Sequence, residues 1–584
     1  MGKINGKRRY VLAVLLSAVM AVLSFMNAFA AEYSYAYPKA SDKKGLYVCP
    51  GMEEDALELG IGHATINLSV GDFMPAPVYR NQVHCIPFSF EGSTYWFSKE
   101  AVGKYDAQLN RLAQGNVLVT AILLLPRRTD DLQYLINPDA LTKQANYYQW
   151  NMNSPDAVRA LRAIVTFFQK RYAGPSGARI VGWIVGNEVN NSGVWNWAGN
   201  LDTDAYMGLY AAQAAEVANA ARSVYANARV YISLDHFWSS GNGDYWYAGK
   251  EILSKFASAM AARGYGKGSW CIAYHPYNIS QYEPNIMSSS DAVTDSEGTR
   301  IITMKNLGVL TGYVKSRYGE RCRILLSEQG YSSVTAGRDT SAEQARNIAL
   351  AYYIAAQNSM VDALILHRQV DHTGEEERFG LYTSWGGENA ALPKQSWSTY
   401  KYANTTAADP YMKYAARQAR ALSGQKVTKS LKVKRMALQP IGDLNWKRNF
   451  TGGFAAFGAL ADFRADQGGF LLTHDFSRNP NVPWGMVRQG RINCRKRTKF
   501  GFGILVSASQ SGSANIYLRL WAGPSRYLDA SATVPCGTQN QLYVDVKNWK
   551  YRGNITKAEF YIRPAGGGWT EGTYARIFSI GTRK

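Results

Sequence analysis

Between about residue 44 and residue 405 the chain alternates two hydrophobic patterns. Short apolar runs rich in β-branched residues give way to longer stretches whose apolar positions recur on one helical face, and then the runs return. Eight runs read as strands: "GLYVC" from 45, "HATINLSV" from 63, "NVLVTAILLLP" from 116, "RIVGWIVGNE" from 179, "ARVYISLDH" from 228, "WCIAYHPYN" from 270, "RILLSEQGY" from 323 and "DALILHRQVDH" from 362. The helical stretch "SPDAVRALRAIVTFFQKRYA" opens with the Ser-Pro start signal and keeps its apolar residues to one side. Eight strand–helix units are the number that closes a (β/α)8 barrel. An open doubly wound sheet more often has about five to seven strands and a Gly-rich phosphate loop, and neither GxGxxG nor GxxxxGK occurs.

Past residue 405 the pattern changes. A basic, helical stretch, "AARQARALSGQKVTKSLKVKR", leads into the alternating segments "GGFLLTHDF", "FGFGILVSAS", "ANIYLRLWAG", "NQLYVDVKNW" and "KAEFYIRPA" with Gly-rich turns, which predict an antiparallel, jelly-roll-like β-sandwich. At the other end, residues 1–30 carry Lys3, Lys7, Arg8 and Arg9, then a long apolar run, then Ala28-Phe29-Ala30, the pattern of a cleaved secretory signal; a retained anchor is the alternative. The expected organisation is a signal segment 1–30, a barrel 31–405, a linker 406–435 and a sandwich 436–584. Residues 71–98, too long for a tight βα loop, predict a hairpin over the barrel mouth.

Export changes what the charge means. The formal net charge is +21, and loss of the four cations of the signal leaves +17. An exported chain meets no genome, so this charge points to anionic cell-wall polymers or to a merely soluble surface rather than to nucleic acid. No stable membrane insertion is expected after cleavage, and the expected location is extracellular. Six cysteines, none in a CxxC pair, permit 15 pairings. Cys494 with Cys536 and Cys271 with Cys322 is one expectation, and free buried thiols are the other.

The chemistry is expected where the strands of a barrel end, on its C-terminal face. Strand four ends in Asn187-Glu188, strand five in Asp235-His236, strand six in His275-Pro276-Tyr277, strand seven in Glu328-Gln329 and strand eight in His367 through His372. Four of the seven histidines fall there. A carboxylate at the tip of a strand as apolar as "GWIVGNE" or "ILLSE" pays for desolvation unless it has a partner. Two such carboxylates facing each other are the minimal machinery for cleaving a glycosidic bond, one holding a proton for the leaving oxygen and one ionised to attack the anomeric carbon. Asn187 is placed to bond a sugar hydroxyl, and His275 and Tyr277 to orient the attacking carboxylate. Trp195, Trp197, Trp238 and Trp385 offer flat apolar faces for sugar rings, and His236 and His367 offer further polar contacts.

"IVGNEVNN", "ILLSEQGYSS", "AYHPYN" and "FGLYTSWGGENAALPKQSWSTYKY" resemble the signatures of clan A glycoside hydrolases, retaining (β/α)8 enzymes. The resemblance spans roughly 44–405 and implies Glu188 as acid/base, Glu328 as nucleophile, Asn187 as the contact of the sugar 2-hydroxyl, and His275 and Tyr277 beside the nucleophile. It implies no metal and no cofactor. The chain departs from the clan at strand eight, where His367-Arg368-Gln369 stands in place of the Trp common there. Two other readings are open: a barrel metallohydrolase using His236, His275 and His367, although strand one has no histidine, and a non-catalytic exported glycan-binding or adhesion protein working through a sandwich that resembles carbohydrate-binding modules.

Overall fold

A computed structural model describes residues 31–40, 42–403, 415, 418, 454–466, 469–475, 482–507, 512–570 and 573–583. The expected signal segment 1–30 lies outside the described residues, as does most of the linker expected over 406–435. Eight parallel strands close into a barrel in chain order: β1 Lys44–Tyr47, β2 His63–Ser69, β3 Leu118–Leu124, β4 Ile180–Val185, β5 Arg229–Leu234, β6 Cys271–Tyr274, β7 Ile324–Gln329 and β8 Val361–Leu366, with β8 pairing back onto β1. Six lie within the runs that predict them, and β1 and β8 each begin one residue before theirs. β3 and β4 are buried along their whole length, as expected of strands covered on both faces.

Two apolar layers hold the barrel. Its interior is filled by side chains such as Ile122, Ile184, Tyr231, Leu325 and Ile365. Room for Tyr231 comes from Gly182 on the neighbouring strand, where a Cβ would stand 2.8 Å from the tyrosine ring. The outer layer packs strands against helices such as Pro155–Arg171. Ser154 caps that helix by accepting from the Ala157 N–H, Pro155 sits in its first turn, and Lys170 and Arg171 close its last. Its buried Phe167 stacks on Phe97 at 3.8 Å, and burial of each such ring contributes about 2–3 kcal/mol.

Residues 71–98 do contain a hairpin, Cys85–Phe90 with Ser93–Ser98. It does not cover the mouth, because Phe88 and Phe97 are drawn against Phe167 on the outside of the barrel. The C-terminal part is a sandwich of two five-stranded antiparallel sheets. Leu471 and Tyr574 of one sheet join the outer apolar layer of the barrel, and the Arg576 guanidinium lies 4.6 Å from the Trp397 ring. On the outer face of the other sheet, Tyr517 and Tyr561 stack on each other at 4.6 Å, and Arg519 and Lys557 lie over Trp521, so these aromatic faces are engaged within the sheet.

All six cysteines are free thiols, which corrects the expected pairings. Cys271 points into the barrel and Cys322 into the layer outside it. Cys494 follows Trp484–Ile492 and Cys536 follows Tyr527–Pro535. These strands are separated by two others in an antiparallel sheet, so their C-terminal ends lie at opposite edges. Among the described residues no helix is long and apolar enough to cross a membrane.

Candidate active site

At the C-terminal mouth of the barrel lies a cleft of about 780 Å³. β4 reaches it through a sharp turn. Gly186 has φ +71° and Glu188 φ +36°, both left-handed. For a residue with a side chain such a conformation costs about 1–3 kcal/mol, so the surroundings must impose it. They do so through β5: the Glu188 N–H donates to Ser233 Oγ at 3.0 Å and the Val189 N–H to the Ser233 carbonyl at 2.9 Å. The Asn190 side chain clasps Asp235, accepting from its N–H at 2.9 Å and donating to its carboxylate. The turn aims the Glu188 carboxyl into the cleft, where its side chain keeps 12% exposure.

Glu328 enters from the end of β7. An oxygen of Glu328, an oxygen of Glu188 and a ring nitrogen of His275 all lie within 4.8 Å of one another. The two carboxyl groups have different partners. The Tyr277 hydroxyl donates to Glu328 Oε1 at 2.7 Å, whereas Glu188 Oε1 lies 2.8 Å from Nδ1 of the buried His275. His275 is thus bonded to Glu188 rather than to Glu328, the carboxylate it was expected to orient. The ring sits behind the carboxyl pair, and its Nδ1 meets the nearer carboxyl group.

Burial alone pushes the Glu328 carboxyl up, but His367, His275, the Tyr277 hydroxyl and the Arg368 guanidinium act against it and hold it below the ordinary carboxylate range. Burial pushes His367 itself down to about 4, against the Glu328 charge, which acts to raise it. His275 is also opposed by burial, yet the charges of Glu328, Glu188 and Asp235 and the bond to Glu188 raise it above the usual imidazole value. Asp235 is pushed up to about 7 by burial and then by the Glu188 charge, against the hydrogen bonds from Asn190, the Phe237 N–H and Trp246.

Of the predicted site residues, Asn187, Glu188, Trp195, His236, Tyr277, Glu328 and His367 line the cleft, with His275 directly behind. Trp195 stacks on Tyr147, which also lines it. Two expected sugar platforms are core residues instead. Trp197 is 4% exposed beneath Lys143 and against Tyr245. Trp238 is fully buried, its indole N–H donating to the Glu297 carbonyl. Both follow a polar strand end, but the chain turns their rings inward to fill space under the loops. Trp385 belongs to the strand Tyr382–Gly386, and its side chain lies outside the described residues. Asp235, Tyr47, Asn67, Arg368 and Phe379 also line the cleft without having been assigned roles there. For Tyr47, Asn67 and Asp235 the available signal was position at or near a strand end.

Among the described residues the one group with metal-ligand spacing is Glu188, His275 and Glu328. His236 and His367 stand outside it, so the three histidines of the metallohydrolase alternative are not gathered into one group among the described residues.

A closed parallel barrel with Glu188, just past the end of β4, and Glu328, at the end of β7, close together at its C-terminal mouth defines the architecture, a (β/α)8 barrel. The chain belongs to the Family of unknown function (DUF5722), whose family model matches residues 36–424. No curated protein matches it. Among solved structures it is similar to a glucosidase from Croceicoccus marinus, with 9% identity over 91% of this chain and 98% of that one and a TM-score of 0.40. It is similar also to a family 1 β-glucosidase from Thermotoga maritima (10% identity, 60% and 84% covered, TM-score 0.36). A third is the GH5_18 protein from Bifidobacterium longum (13% identity, 62% and 78% covered, TM-score 0.39).

Proposed function

We propose that the protein is a secreted retaining glycoside hydrolase that cleaves β-O-glycosidic bonds of a poly- or oligosaccharide by double displacement. The observation that carries this reading is the close approach of the Glu188 and Glu328 carboxyl groups, within 4.8 Å at their nearest oxygens, in unlike surroundings. Carboxyl groups about 5–5.5 Å apart suit direct attack on the sugar, and a water-mediated inversion needs about 6.5–9.5 Å. Glu328, held ionised, takes the nucleophile's role. Its oxygen forms a bond to the anomeric carbon as the bond to the leaving oxygen breaks, and Glu188 gives its proton to that oxygen. Glu188 then removes a proton from water, the water oxygen bonds the anomeric carbon, and the ester to Glu328 breaks.

Asn187 beside Glu188 is suited to a hydroxyl of the reacting sugar, and Trp195 with Tyr147 to a neighbouring ring. Secretion is supported by the basic, apolar and small-residue pattern of residues 1–30. The test is a panel of plant, algal and microbial polysaccharides with products followed by mass spectrometry, and proton NMR of the first anomer released. Oligosaccharide release with retained configuration supports the reading. Release with inversion, or no release from any glycan or aryl glycoside, counts against it.

Tyr277→Phe probes the charge arrangement. Removing a hydroxyl that donates to a carboxylate forfeits a bond of about 1.5–3 kcal/mol, so kcat is expected to fall about 10- to 100-fold. Since that hydroxyl helps hold Glu328 low, its loss raises the Glu328 pKa, and the acid limb of the pH–rate profile moves to higher pH. An unmoved acid limb argues that Glu328 is not the group titrating there.

A further inference from the structure

The chain as a whole is basic, with 65 Lys and Arg against 44 Asp and Glu, yet its cleft is acidic. Among the described residues five acidic side chains line the cleft, Glu188, Asp235, Glu328, Glu375 and Glu377, against the single guanidinium of Arg368, and Glu375 and Glu377 are the two of these outside the catalytic centre. That guanidinium is already engaged: its Nη1 lies 3.1 Å from Glu375 and 3.0 Å from Glu388. The other cations of this wall are turned away from the cleft. Arg378 donates to the backbone carbonyls of His372, Glu375 and Glu377. Lys394 is buried against Asp371 at 2.7 Å, where it anchors the base of the segment.

The segment after β8 therefore presents Glu375 and Glu377 to the cleft, half-buried, while Glu376 at the rim accepts from the Tyr282 hydroxyl at 2.9 Å. Burial, and then the charges of Glu377 and Glu388, push the Glu375 carboxyl up despite Arg368 and His372. A neutral hydroxyl can donate hydrogen bonds to these carboxylates but cannot relieve their repulsion; a cation does both. Across the mouth lies the end of β5. There His236 lines the cleft at 7% exposure. Its ring, pushed down to about 4 by burial, is neutral at neutral pH, so it adds no positive charge to that side of the cleft.

We propose that the substrate is an amino-sugar oligosaccharide with free, protonated amines, held by Glu375 and Glu377 on one wall of the cleft. This rests on the hydrolase reading and specifies its substrate class. The probe is a β-linked glucosamine tetramer, titrated calorimetrically into the Glu328→Gln protein beside its fully N-acetylated counterpart and a glucose tetramer of the same linkage. The amine form is expected to bind at least about ten-fold tighter at low salt, with the advantage shrinking as ionic strength rises. Adding Glu375→Gln and Glu377→Gln should bring the preference towards unity, with thermal unfolding recorded as a check; Glu377→Gln alone should lower it if the double change unfolds the protein.

Equal or weaker binding of the amine form, or a preference indifferent to salt and to both substitutions, overturns the proposal. Turnover of neutral aryl glycosides by the wild type is measured in parallel. Turnover without amine preference overturns the substrate assignment and leaves the hydrolase standing, whereas no turnover of any glycoside removes both.

Discussion

Glu328→Gln is expected to lower kcat by at least about 10⁴-fold on every glycoside the protein cleaves, because an amide of the same shape cannot form the glycosyl ester. The fold should survive. The Tyr277 hydroxyl can still donate to the amide oxygen, and the apolar layers on both sides of the strands are untouched. Stability should change in its dependence on pH. The folded protein holds the Glu328 pKa below its unfolded value, so this carboxylate stabilises the fold above the unfolded pKa, and that contribution is lost as pH falls through the folded one. Thermal unfolding of the variant, followed by circular dichroism from neutral to acid pH, should therefore fall less steeply than that of the wild type. Near wild-type turnover by a folded variant refutes the assignment.

Glu188→Ala should separate the two carboxylates by role. A residue that protonates the leaving oxygen matters in proportion to how much that oxygen needs the proton. The loss is expected to reach about 10³-fold or more on a natural glycan and to be far smaller on an aryl glycoside whose phenolate departs unaided. Azide, small enough for the vacated space, should then restore turnover and give a glycosyl azide of retained configuration. Glu328→Ala, if azide rescues it at all, should give the inverted azide, because attack then comes from the face the nucleophile occupied. The opposite pattern exchanges the roles of the two glutamates.

Much of this architecture was legible in the chain because a barrel strand buried on both faces must be apolar along its length, and such a run ending in a carboxylate has few places to lie. The β4 and β7 glutamates were found on that ground, and their convergence follows from the closure of the barrel. What was misread depends on side-chain direction. Trp195 and Trp197 stand two residues apart in one loop, yet one lines the cleft and the other fills the space beneath it. Trp238 carries the same local signature and is core. His275 stands beside this pair, but which carboxylate it bonds depends on where the turn at Glu188 points, and that turn is imposed by Ser233 and Asp235 at the end of the neighbouring strand. The cysteine pairings failed for the same reason. Neither inward nor outward orientation, nor position at one edge of a sheet or the other, is written in sequence spacing.

Whether Glu328 bonds the sugar is read most directly from the mass of the protein after incubation with an activated 2-deoxy-2-fluoro aryl glycoside of the sugar it cleaves. The fluorine slows both formation and breakdown of the intermediate, and the good leaving group restores the rate of formation alone, so the ester should accumulate. The account predicts a mass increase of one fluoroglycosyl residue, borne after proteolysis by the peptide containing Glu328 and absent from Glu328→Gln. An adduct on Glu188 or any other residue, or turnover that proceeds with inversion and leaves no adduct, would contradict it.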